Sequence, residues 1–189
     1  MAFKISVTAG HPNFETLPAA KVTSYPLAKE DYRPFAQARF LMGSEGLYLQ
    51  LIAFEVIVSE KSRIRASFMP KNETAWITLT VGEKGIDSFT AWENGEILWQ
   101  DNDAVSVTPI HGEDLQGIYW GVQALIPYET MLRLWPDSSF RAGETIKGNI
   151  FKTCDDPKWE HYGSFFPADF TLEQPLTPAN FGEFLLVNY

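Results

Sequence analysis

The sequence predicts an all-β protein: a two-sheet antiparallel β-sandwich, of the immunoglobulin-like or jelly-roll type, with one short helix. Three observations point there. Short apolar-rich runs bounded by turn residues recur along the whole chain, an Asn94-Gly95 pair sits between two of them, and only one segment has helical spacing.

The expected strands cover 3–8, 35–42, 46–58, 63–69, 75–81, 87–92, 96–100, 104–108, 117–126, 145–152 and 183–187. In "FTAWENGEILW", Asn94-Gly95 supplies the two positive-φ positions of a type I′ turn. This pairs Glu93 with Glu96, Trp92 with Ile97 and Thr90 with Trp99, and leaves the Glu93/Glu96 pair solvated at the tip. Trp92, Ile97 and Trp99 then share one face, with Phe89, Ala91 and Leu98 on the other. A hairpin apolar on both faces is more than one solvated edge requires, which makes one face a candidate working surface. After Pro127, "YETMLRLW" places Tyr128, Met131, Leu132 and Trp135 at i, i+3, i+4 and i+7, an apolar stripe that puts Trp135 in the core.

A chain of 189 residues without repeats, low-complexity tracts or linker-like composition reads as one domain spanning 1–189. The net charge of -9, without a Lys/Arg stripe, argues against nucleic acid or an anionic membrane as partner. The longest apolar run, 47–58, is broken by Gln50 and Glu55 and is too short to span a bilayer. The start, "MAFKISVTAGHPNF", lacks the apolar region of a secretion signal, so a cytoplasmic location is expected, or an extracellular one if a leader has been removed. Cys154, the single cysteine, excludes an internal disulfide and fits a reducing compartment.

Catalytic signatures are absent. There is no GxSxG elbow, Walker loop or GxGxxG, and no protease or amidase pattern surrounds Cys154 and His161. His11, His111 and His161 lack zinc-site spacing. Loop carboxylates such as Asp101, Asp103, Asp155 and Asp156 leave a structural calcium open, although "DND" at 101–103 lacks the rest of an EF-hand. With 24 acidic residues, some carboxylate pair will fall at a glycosidase-like distance by chance, so the count carries no information.

The segment "GNIFKTCDDPKWEHYGSFFP", 148–167, combines dense aromatics with the Asp-Asp-Pro punctuation of a loop. Its ends are expected in the core, with Phe151 on a strand and one of Phe165 and Phe166 buried. Its middle is a candidate surface, where Trp159, Tyr162 and His161 offer rings, and the segment as a whole supplies polar groups in Asn149, Lys152, His161 and Glu160.

"YWGVQALIPYETML" (119–132), then "GNIFKTCDD...WEHYGSFFP", then "FTLEQPLTPANFGEFLLV" (170–187) together resemble the family 9-like carbohydrate-binding modules, relatives of the DOMON β-sandwiches. The resemblance is loose over 30–187 and more specific over 119–187. It implies a sandwich that binds sugar without catalysis, in service of polysaccharide or oligosaccharide breakdown. It also implies a sugar ring gripped between aromatic planes, one of them from the C-terminal loop region, a position that falls on Trp159 with Tyr162 as substitute. Trp92, His161, Asn149 and Lys152 complete the expected site, with a saccharide as the partner and no cofactor. Stacking worth about 1 to 3 kcal/mol per ring on two platforms corresponds to affinity no better than about tens of micromolar after ordering costs. The alternative is an interaction or structural module on the same scaffold without a sugar ligand.

Overall fold

The computed structural model describes residues 2–28, 32–115 and 117–188. In chain order the strands are β1 (Phe3–Val7), β2 (Ala20–Val22), β3 (Phe35–Met42), β4 (Gly46–Phe54), β5 (Ser62–Pro70), β6 (Trp76–Gly82), β7 (Gly85–Glu93) and β8 (Glu96–Gln100). They continue with β9 (Ser106–Asp114), β10 (Gly117–Pro127), the helix α1 (Tyr128–Leu134), β11 (Thr145–Cys154), β12 (His161–Ser164) and β13 (Gly182–Asn188). The protein is mostly β with one α-helix among the described residues, as the hydrophobic patterning requires.

The sheet organisation differs from the expectation of two antiparallel sheets. The strands form one continuous curled sheet in the order β8-β7-β6-β5-β11-β13-β1-β3-β4-β10-β9, with β2 beside β3 and β12 beside β11. Most pairs are antiparallel, but β1 runs parallel to both of its neighbours, β13 and β3. Alternation in a sequence identifies a strand and its buried face; it does not say which distant strand lies alongside, and a parallel pair leaves no hairpin turn to read. Curling brings β9 and β10 against β6 and β7, so the two arms of the sheet bury a shared interior. Its middle is an aromatic cluster in which Phe40, Phe68 and Phe184 meet edge to face at 5.4 to 5.7 Å.

Several boundaries move for physical reasons. β4 stops at Phe54; Glu55 turns inward at 4% exposure, while Val56 and Ile57 lie in solvent at 82% and 56%. β9 runs on through Pro109, which an edge strand tolerates because one row of its N–H groups has no partner to lose. Helix α1 follows Pro127 and buries Met131, and Trp135 caps it in the core with its indole N–H donating to the Ala75 carbonyl at 3.0 Å. Leu132, assigned to the same apolar stripe, is 39% exposed instead, because a helix this short turns a single narrow face inward.

The β7–β8 hairpin has the expected turn, with Asn94 at φ 52° and Gly95 at φ 84°. Glu93 faces Glu96 and Trp92 faces Ile97 as the turn dictates, but a bulge between Ala91 and Trp92 pairs Trp99 with Ala91 instead of Thr90. Trp99 therefore lies with Phe89, 5.7 Å away, and not on the face of Trp92.

Candidate functional site

Alternation along β11 decides what each of its side chains can do. Ile150, Lys152 and Cys154 point into the interior, while Asn149, Phe151 and Thr153 take the other face, opposite Ser67, Arg65 and Arg63 of β5. Across β6 and β7 that outer face carries Trp76, Thr78 and Thr80, then Ser88, Thr90 and Trp92, while Ile77, Leu79, Val81, Phe89 and Ala91 fill the core.

This outer face forms a groove of about 330 Å³. Trp76 and Trp92 stand directly opposite each other on neighbouring strands, their rings 6.2 Å apart and within 9° of parallel. Trp76 is 4% exposed and is steadied edge-on by Phe181; Trp92 is the open ring of the pair. The floor is hydroxyl-rich, with Thr78, Thr80, Ser88 and Thr90, and Arg65 closes the far side. Residues 174–177, Gln-Pro-Leu-Thr, form the roof. A second hollow of about 440 Å³ continues past Trp76, Gln174 and Thr177 towards the hairpin tip. These volumes suit a small ligand, and the mixture of ring and hydroxyl suits one that is apolar on its face and polar at its edge.

The roof is irregular backbone and is held by two buried asparagines. Asn149 Nδ2 donates to the carbonyls of Asn180 (2.7 Å) and Phe166 (3.0 Å), and its Oδ1 accepts from the Phe166 and Ile150 amides. Asn180 Nδ2 donates to the carbonyls of Pro175 (2.7 Å) and Asp169 (3.2 Å), and its Oδ1 accepts from the Asp169 amide. At its other end the roof rests on the hairpin, with Gln174 beside Gly95.

Behind β11 lies a buried polar cluster. Lys152, at 0% exposure, places Nζ 3.1 Å from Glu55 Oε2 and 2.7 Å from His161 Nε2, and also donates to Ser62. Glu55 further accepts from Trp120 Nε1 at 3.0 Å, Ser62 Oγ at 2.8 Å and the Tyr32 hydroxyl at 3.3 Å. The Trp159 carbonyl, 2.7 Å from His161 Nδ1, can only accept, so Nδ1 carries the proton and Nε2 accepts from the ammonium of Lys152. The imidazole is thus neutral: burial, then the Lys152 charge, hold its pKa down at about 4. Burial also lowers Lys152 to about 8, with Glu55 opposing.

The residues expected at one site fall in three places. Trp92 lines the groove. Trp159, Tyr162 and one edge of His161 border a separate hollow of about 580 Å³ with Tyr32, whose ring lies 5.5 Å from that of Trp159. Asn149 and Lys152 are fully buried, with their polar groups committed to the roof and to Glu55, and so reach neither hollow. Three positions apart on one strand, they necessarily point to opposite faces. Phe151 is buried as expected, and Phe165 and Phe166 both pack on Phe184 while remaining partly exposed. Trp76, Arg65 and the hydroxyl row escaped the sequence reading, although alternation in "AWITLTV" and "DSFTAW" carries them: Trp, Thr and Ser on one face, aliphatic residues and Phe on the other.

Among the described residues no three carboxylate, His or Cys side chains gather as metal ligands, and no helix is long and apolar enough to cross a membrane. Asp101 pairs with Arg133, Asp155 accepts from Tyr162, and Asp156 accepts from Ser59.

The sequence matches no family model and no curated protein. Solved structures do match. A candidate carbohydrate-binding protein from Bacteroides uniformis superposes with a TM-score of 0.73 at 17% identity, over 98% of this chain and 100% of that one. A family 9 carbohydrate-binding module from Caldicellulosiruptor kristjanssonii, solved with cellotriose, gives 0.65 at 11% identity over 98% and 94%. The same organism's family 9 module with glucose gives 0.64 at 11% over 98% and 96%. The chain shares their fold. At such identities the likeness stops there, and the side chains of the groove have to speak for themselves.

Proposed function

We propose that the protein is a non-catalytic carbohydrate-binding module that takes a saccharide into the groove beneath residues 174–177. One observation carries this reading: a parallel Trp76/Trp92 pair, with the Trp92 ring open, borders a floor of hydroxyls on the same sheet face. A pyranose stacks its C–H face on an indole and satisfies its rim with hydroxyls and amides, which Thr78, Thr80, Thr90 and Gln174 supply. The cellotriose and glucose held by modules of the same fold support the ligand class. The role that fits is to hold a saccharide for breakdown by a separate glycosidase.

The hollow at Trp159 and Tyr162 is the competing position for the same ligand. The deciding experiment is a calorimetric and tryptophan-fluorescence titration with mono- and oligosaccharides, glucose and cellotriose among them, on wild type, Trp92→Ala and Trp159→Ala. Saturable binding lost in Trp92→Ala and kept in Trp159→Ala supports the groove. The reverse pattern moves the site to the hollow.

The second reading, an interaction module, draws on Val56, Ile57, Leu115 and Ile118. These are all strongly exposed apolar residues where β4 ends and β10 begins. It gains if no saccharide produces a response while the folded protein self-associates in sedimentation equilibrium.

A further inference from the structure

Among the described residues, Arg65 is the one cationic side chain lining the groove. Its neighbours do not neutralise it. Among the described residues its side chain makes one hydrogen bond, from Nη1 to Thr153 Oγ1 at 2.6 Å, and no carboxylate lies within ion-pairing distance. The two acids near enough to act on it through space are engaged elsewhere: Asp87 pairs with Arg63, and Asp155 accepts the Tyr162 hydroxyl at 2.8 Å. The rest of the groove is Thr, Ser, Trp, Gln, Pro and Leu. A positive charge is therefore held, partly buried and without a counter-ion in contact, in a protein of net charge -9.

Charged side chains withdrawn from water are ordinarily paired, because desolvation is otherwise uncompensated. Glu55 and Lys152 follow that rule on the other face of the same sheet. Arg65 departs from it at the place where a ligand would lie. With one N–H on Thr153, the planar guanidinium keeps further donors in the fork geometry that fits a carboxylate. Arg65 is level with Thr80 and Ser88, and the tryptophan pair is four residues along β6, about 13 Å of strand. A sugar stacked on Trp92 and a neighbouring acidic sugar can occupy the two ends together.

We infer that the groove selects an acidic saccharide, a uronic acid or a uronate-bearing oligosaccharide, with Arg65 as the residue that receives its carboxylate. This rests on the groove reading above and narrows it from saccharides in general to carboxylated ones.

The test compares galacturonic and glucuronic acids and trigalacturonate with galactose, glucose and cellotriose, and with acetate alone. Calorimetry is run on wild type and on Arg65→Gln, at low and high NaCl. The expected result is binding of at least one acidic sugar about tenfold tighter than its neutral counterpart. That preference shrinks as salt rises and falls to near parity in Arg65→Gln. Should the substitution unfold the protein, as thermal denaturation would reveal, the salt dependence of the wild-type preference still decides the point. Neutral and acidic sugars bound alike, in a Trp92-dependent manner, overturn this inference and leave the groove reading standing. No response to any sugar overturns both. Acetate bound as tightly as the uronates marks a site for a bare anion and overturns the saccharide class.

Discussion

Asn149 on β11 holds Asn180 by its backbone, Nδ2 to carbonyl at 2.7 Å, and Asn180 in turn holds Pro175. Two amide side chains thus tie the roof of the groove to the sheet beneath it. Asn149→Ala removes a donor to two carbonyls and an acceptor of two amides in a fully buried site. A loss of about 2 to 4 kcal/mol is expected from urea unfolding, together with protease cleavage within 166–180 that the wild type resists.

Lys152→Met leaves the Glu55 carboxylate buried without its cation and is expected to cost about 3 to 5 kcal/mol. Adding Glu55→Gln removes the stranded charge while keeping an acceptor for Trp120 and Ser62, so the double variant should regain at least half of that loss. A thermodynamic cycle over the two sites measures this directly.

The neutral His161 predicts how stability responds to acid. Its folded pKa, about 4, lies below the ordinary 6.5, so between these values the unfolded chain binds a proton that the folded one refuses. Stability should therefore fall as pH drops through that window, and the His161 contribution to the fall is complete below it. His161→Gln, which has no such proton to gain, should show a shallower decline between pH 7 and pH 4 in urea midpoints.

Gly95 sits at φ 84°, and a methyl group there would stand 3.1 Å from Gln174 Oε1. Gly95→Ala is expected to cost about 1 to 2 kcal/mol through the left-handed backbone alone and to displace Gln174. Saccharide affinity should weaken although residue 95 does not line the groove of Trp92. Unchanged affinity would mean that Gln174 takes no part in holding the ligand.

Much of the fold was legible because strand patterning is local: the runs at 35–42, 63–69 and 75–81 read as strands bounded by turn residues, and strands stand there. Long-range features were not. Nothing local indicates that Phe3 will lie beside Phe184, or that a bulge will turn Trp99 away from Trp92. Lys152 misleads for another reason. Lysine ordinarily marks the solvent side of a strand, and only Glu55, 97 positions earlier by sequence number and already past its own strand, makes an inward lysine tolerable. The candidate site was half visible: Trp92 stood out as an aromatic on an overly apolar hairpin, whereas Thr78, Thr80, Ser88 and Thr90 look like ordinary exposed strand positions until the roof covers them.

The placement of β1 between β13 and β3 governs the order in which the protein can be completed. Until β13 is synthesised, β1 has one partner and β11 lacks the strand that joins it to β1, so the two arms cannot close over the shared interior. The sheet therefore cannot close before β13 is in place, and without that strand β1 and β11 each present an open edge, the condition that invites wrong pairings.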